Sequence, residues 1–300
     1  MIVYTVLFTL LGKDPAENRY VEMFYVWVSH LIKNAGLDEK DKICVLIDKP
    51  TLDFMNNERH LGNILKKCRG VTEFWIVPQP IKISQGMALR YSIDEYPSLC
   101  SECSLYIDID VLVVAPLKAV REVCNDTIMA IVEGFKDNED YGGKVLPKDE
   151  AAEGYPGFTS AIFAFSAGEY VKQFMRNVKG GCLAQDPPFY TVDQPFFNKY
   201  VYEDFVYKNK ELFILPREYV EVNTMEPSAS AVFVNYSGDP GNGQKHVAKL
   251  IVRLCMNLLT AQALPPAPAP PLDLPPQHLP QEHLPQQIHG AQESQGPSEA

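Results

Sequence analysis

Apolar runs of strand length alternate with helix-length amphipathic stretches over the first 110 residues, and this alternation restricts the fold more than any other feature of the chain. IVYTVLFTLL (2–11) reads as a strand. Asp14-Pro15-Ala16-Glu17 then has the order of a helix start: a capping aspartate, a first-turn proline and a glutamate at the third position. The helix runs through YVEMFYVWVSHLIKNA and ends at Gly36, a residue free to adopt positive φ. KICVLID, TEFWIVP and SLYIDID follow as strands, separated by the helical stretches ERHLGNILKKC and QGMALRYSIDEY. Strands that alternate with helices build a mostly parallel sheet, joined by right-handed crossovers, with ligands bound at the carboxyl ends of the strands.

Further on, DTIMAIVE, FTSAIFAFS, ELFILP and SAVFVNYSG read as strands. A long polar loop separates the first two, of the length that serves function or mobility. A short helix follows FTSAIFAFS, and a last helix is expected from about Lys245 to Leu259. From Leu264 the chain becomes an imperfect five-residue repeat rich in proline and free of Lys and Arg, which cannot bury a core. The expected organisation is one α/β domain over 1–260 and a disordered proline-rich tail over 261–300, with the tail a candidate docking element for a protein partner.

With 300 residues and 46% apolar content, the chain can bury a core without covalent staples. A formal charge of -11 excludes nucleic-acid binding through a broad basic face. The apolar opening is too short to span a bilayer and carries no leader pattern, so a soluble protein is expected. Seven cysteines are scattered through apolar segments, and Cys100-x-x-Cys103 has no second pair to complete a zinc site. They read as reduced thiols, hence a cytoplasmic setting in which the sequons at Asn125 and Asn235 are silent.

The chemistry concentrates in LYIDIDVLVV. Asp108 and Asp110 share one side of the chain by the period of two, and their charges stay close only if a cation compensates them. Asp-x-Asp at the mouth of a sheet suits a hard divalent cation, which bridges a diphosphate and neutralises it as it leaves.

Four stretches in order, LYIDIDVLVVAPL, GYPGFTSAIFAFS, TVDQPFFN and NYSGDPGNGQKH, resemble the glycogenin-like family 8 glycosyltransferases across residues 1–260. The resemblance implies a GT-A fold, with a mostly parallel central sheet flanked by helices, and a retaining transfer of sugar from a UDP-sugar donor to an unidentified acceptor. It also implies Mn2+ or Mg2+ as cofactor, held by Asp108 and Asp110. Asp108 would also touch donor ribose and diphosphate, Thr9 and Tyr20 would lie beside the uridine, and Arg90 would reach donor phosphate or sugar. Thr159 and Ser160 would bond sugar hydroxyls, and Asp193 and Gln194 would position the sugar and stabilise charge at its anomeric carbon. The chain departs from the family at Asn235, where a histidine usually supplies the third metal ligand; His246 is the substitute within reach in sequence. Gly238 and Lys245 would cradle the diphosphate.

Two other enzyme classes fit less well. In haloacid dehalogenase-like phosphatases the aspartate pair ends the first strand, and in sugar-phosphate nucleotidyltransferases a glycine-rich basic loop follows it, for which LLGKDPAEN is a poor match. A glycosyltransferase-like binding protein without turnover is the non-enzymatic alternative.

Overall fold

Strand β1 (Ile2–Leu7) is buried along its whole length and lies in the interior of the sheet. It pairs in parallel with β2 (Lys42–Asp48) on one side and β4 (Ser104–Ile107) on the other, and β3 (Thr72–Val77) extends the parallel array beyond β2. A strand covered on both faces needs apolar side chains in both phases of its pleat. Val3 and Leu7 enter one core, while Ile2, Tyr4 and Val6 enter the other.

The computed structural model describes residues 1–236 apart from 59–70, 97, 98, 100–102, 125, 126, 137, 144, 147–154, 167, 187 and 225, and it also describes Gln277 and His278. Within them, β4 continues through antiparallel β8 (Ile162–Phe165) to β6 (Ile128–Phe135) and then parallel β9 (Leu212–Leu215). The short β7 (Pro156–Phe158) pairs with β6, and β12 (Gln277–His278) lies antiparallel to β9. A second sheet of three strands joins β10 (Val220–Val222), β11 (Phe233–Asn235) and β5 (Val111–Val113). This is the expected α/β architecture, a mostly parallel central sheet flanked by helices.

Helix α1 (Arg19–Asn34) covers one face of the sheet, with Phe24, Trp27, Val28 and Leu31 packed against Val3, Ile43, Val45 and Leu105. The opposite face is covered by α3 (Ile83–Ala88), α5 (Glu169–Ala184) and α6 (Gln194–Tyr200). There Phe174 and Phe197 meet Tyr4, Tyr106, Phe163 and Phe165. Each of these fully buried aromatics contributes about 1.5–3 kcal/mol through the apolar area it removes from water.

Several sequence expectations shift in position. Asp14 caps only the short 3-10 turn Pro15–Glu17; Asn18 caps α1 by accepting from the backbone of Tyr20, and α1 ends before Gly36 at φ +64° as expected. Helix α2 (Lys49–Asn57) was not foreseen, although Asp48 followed by Lys49 and Pro50 is a start signal, and Asp48 does accept from Thr51 N at 3.1 Å. The helix after β8 is α5, sixteen residues long rather than short. The helix expected at 58–68 lies outside the described residues apart from Glu58, which ends α2; the helix expected at 245–259 and the tail apart from β12 also lie outside them.

The Asp-x-Asp stretch is not the end of a strand. Strand β4 closes at Ile107, and the chain then turns, with Asp108 N bonding Ala161 O and Val111 N bonding Asp108 O, so that β5 can join the second sheet. Ile109 points into the core, which keeps the aspartates on either side of it facing the open side. The cysteine reading is also corrected: Cys103, at the foot of β4, forms a disulfide with Cys124, beyond α4 (Lys118–Val123). Cys44 and Cys182 are free and buried, and burial pushes both thiols up to about 12.

Candidate active site

Two cavities open where the parallel strands end, and they meet at Met87, Arg90 and Asp108. The first, about 420 Å³, lies beyond β1 and is lined by Phe8, Thr9, Asn18, Tyr20, Asp110 and their neighbours. The second, about 540 Å³, lies over β6, β8 and the start of α6 and is lined by Glu133, Thr159, Ser160, Asp193, Gln194 and Asn235 among others. Every predicted site residue that the structure describes lines one of the two. Gly238, Lys245 and His246 lie outside the described residues.

Arg90 stands between the cavities. It is 2% exposed, in the 3-10 turn that follows α3. Its Nη2 lies 3.1 Å from Asp108 Oδ1, and its Nη1 lies 3.4 Å from Asp193 Oδ2 and donates to Ser160 O at 3.1 Å. The guanidinium also sits 4.7 Å from the centre of the Tyr106 ring. Burial disfavours its charge, but Asp108 and Asp193 more than offset this and raise its pKa. The resemblance has Arg90 reaching donor phosphate or sugar; in the structure it lines both cavities and is paired with two carboxylates.

Those carboxylates are further supported by tyrosines that sequence reasoning missed. Tyr106, which shares a side with Asp108 by the period of two, donates its hydroxyl to Asp108. Tyr91 donates to Asp193 Oδ2 at 2.5 Å and stacks on Phe163, with ring centres 5.5 Å apart. Asp193 makes no side-chain cap bond to α6, so capping does not explain it. The chain reaches it through Val192 at φ +53°, a conformation that costs a β-branched residue about 1–3 kcal/mol. Asp193 Oδ1 is buried and, among the described residues, has no hydrogen-bond partner.

Asp110 lacks this support. Burial first, and then the charge of Asp108, push its carboxyl up to about 7. Burial also raises Asp108, with Arg90 and Tyr106 acting against it. Tyr20 is 54% exposed at the mouth of the first cavity, and the charge of Asp110, ahead of burial, pushes its hydroxyl pKa up. Thr9 is buried: its N–H donates to Asp48, and its hydroxyl accepts from Thr51 and Asn18. It lines the first cavity.

Gln194 accepts from Ser160 N at 3.1 Å and donates to Asp140 O at 3.0 Å, which ties the start of β8 to the loop after β6. Asn198 clamps Phe158 through both N and O. The Thr159 hydroxyl accepts from Ala161 N. Asn235 donates to Glu133 Oε1 at 3.1 Å, and Tyr141 also bonds Glu133, its ring lying over Gly134 and Gly157 with no room for a Cβ at either glycine. Glu133, which closes the apolar run IMAIVE within β6, is a signal for the site that the sequence offers.

A divalent cation would find two oxygen donors here, Asp108 and Asp110. Among the described residues, no ion pair joins Asp110 to a cation, so the donor set suits a hard ion that completes its shell with water or ligand oxygens. Among the described residues, no group of three or more His, Cys, Asp and Glu side chains is placed to hold a metal. No helix among them is long and apolar enough to cross a membrane.

No protein-family model and no curated protein matches the chain. Among solved structures, the apo form of WbbM, described as a bifunctional glycosyltransferase, superposes with a TM-score of 0.55 at 16% identity, covering 84% of this chain and 51% of that one. The chain thus spans about half the length of that structure. The likeness establishes that the two share a fold.

Proposed function

We propose that this chain is a glycosyltransferase that moves a sugar from a UDP-sugar donor to an acceptor hydroxyl, with retention at the anomeric carbon. The observation that carries the reading is the meeting of two cavities at the Asp108–Arg90 pair, one large enough for a nucleotide and the other rich in groups that bond hydroxyls. The fold shared with a glycosyltransferase supports it.

In this reading the nucleotide occupies the first cavity, with Tyr20 at its mouth, and the sugar lies over Asp193. Mn2+ or Mg2+ at Asp108 and Asp110 would neutralise the diphosphate as it leaves. Arg90 and Tyr91 hold Asp193 in the wall of the second cavity, where its carboxylate stabilises the positive charge that develops on the sugar. Gln194 braces the cavity wall, its amide oxygen accepting from Ser160 N and its nitrogen donating to Asp140 O.

One observation favours a second reading, a nucleotide-sugar binding protein without turnover. Asn235 stands where the resembled family has a metal-binding histidine, and its amide is engaged with Glu133. Incubation with labelled UDP-sugars and Mn2+, with and without acceptors, decides between them. Hydrolysis or transfer supports the first reading, binding without either supports the second, and absence of binding refutes both.

A further inference from the structure

Lysine is seldom buried unless something offsets the loss of water around its charge. Lys136, the residue after β6, is 1% exposed. Its Nζ lies 4.6 Å from the centre of the Tyr202 ring and 5.4 Å from the centres of Tyr155 and Tyr207, and it donates to the Tyr207 hydroxyl at 2.7 Å. Three aromatic faces and a hydroxyl oxygen surround the ammonium and offset its burial.

The cage depends on an irregular helix. Beyond α6 the chain widens into a π-helical stretch, Val201–Val206, and Tyr207 N bonds Tyr202 O, five residues back, at 2.9 Å. In an α-helix, residues five apart point about 140° away from each other. The wider turn brings the two tyrosines together, with ring centres 5.7 Å apart. Such turns are rare and recur at functional sites.

What the cage holds borders the second cavity. Lys136 N donates to Tyr155 O at 2.9 Å, where the chain returns into β7. Asn138 N bonds Phe135 O and Tyr141 N bonds Asn138 O, a turn that sets Asp140 and Tyr141 in the cavity wall. Tyr141 in turn bonds Glu133. Helix α6 grips the same turn at its other end, Gln194 donating to Asp140 O at 3.0 Å. One helix thus braces this wall twice, through an amide at its start and through the tyrosine cage just past its end.

We infer that Lys136 is a positioning residue of the second cavity: its caged ammonium fixes the turn that presents Asp140, Tyr141 and, through Tyr141, Glu133 to the bound sugar. The inference rests on the reading of the site as one for nucleotide-sugars.

Lys136→Met, which keeps the reach of the side chain without its charge, and Lys136→Arg, whose guanidinium still stacks on aromatic faces, are compared with the wild-type full chain. Calorimetry with Mn2+ measures the affinity for UDP, UDP-glucose, UDP-galactose and UDP-N-acetylglucosamine, and hydrogen exchange follows the amides of Tyr141 and Gly142. UDP, placed in the first cavity, is expected to bind all three chains alike. The UDP-sugar that wild type binds best should lose about tenfold or more in affinity in Lys136→Met and recover most of it in Lys136→Arg. Exchange at the two amides should quicken in Lys136→Met and not in Lys136→Arg. Undiminished UDP-sugar affinity with unchanged exchange in Lys136→Met overturns the inference, as does a loss of UDP affinity as large as that of the UDP-sugar. Failure of UDP and of every UDP-sugar to bind wild type removes the nucleotide reading and the inference with it.

Discussion

Replacing Asp110 with Asn should stabilise the metal-free protein at alkaline pH, and by less as the pH falls. The Asp110 carboxyl is raised from 3.8 to about 7 in the folded chain, because burial and Asp108 oppose its ionisation. A carboxyl with a raised folded pKa binds its proton more tightly in the native state, so its contribution to stability is lost as pH climbs from about 4 through 7. At 1.36 kcal/mol per unit, the full shift corresponds to an upper bound of about 4 kcal/mol at pH 8. Residual access to water and counter-ions reduces this to about 1–2 kcal/mol, or a rise in Tm of about 3–6 °C for a domain of this size. Asn keeps a carbonyl oxygen for the local backbone bond. The assay is calorimetric melting of wild type and Asp110→Asn in chelator at pH 8, 6 and 5. A variant no more stable than wild type at pH 8, or a gain that does not change with pH, would refute the reasoning.

Arg90→Met should be far more damaging, since it leaves the buried Asp193 and the half-buried Asp108 without their cation; a loss of about 3–5 kcal/mol is expected in urea unfolding, and a loss under 1 kcal/mol would contradict the pairing. The Cys103–Cys124 bridge closes a separation of 21 residues, so its removal in a double serine variant should cost about 3 kcal/mol on the chain-entropy account, and peptide mapping of the unreduced protein should recover the linked pair. Recovery of both cysteines as free thiols from oxidised protein would contradict the bridge.

Much of the fold was legible because each parallel strand had to be apolar on both faces and each covering helix on one. Strands β1 to β4 and helix α1 follow from that pattern alone, and Gly36 marks the end of α1 through its need for positive φ. The limits were set by interactions between distant residues. Nothing local says that β4 stops at Ile107, because the turn there exists to carry Val111 into a second sheet with β11. Helix α2 hid behind a strand that ended in its own capping residue, Asp48. At the site, Asp108, Asp110 and Asp193 stood out as carboxylates in apolar surroundings, where a charge requires a reason. Tyr91, Tyr106 and Glu133 did not, since a tyrosine or a glutamate on a strand is unremarkable until its partner is known. Arg90 was found, but not its carboxylate partners: eighteen residues separate it from Asp108 and many more from Asp193, and only the tertiary fold shows that the guanidinium bridges them.

The central claim is that Asp108 and Asp110 complete their coordination with a divalent ion and the phosphates of a nucleotide. Titration of UDP into the protein, with Mn2+ and then with chelator, and again with Asp110→Ala, tests it most directly. The account predicts binding that requires Mn2+ and vanishes in the variant. Binding of equal strength in chelator, or undiminished by Asp110→Ala, would contradict it.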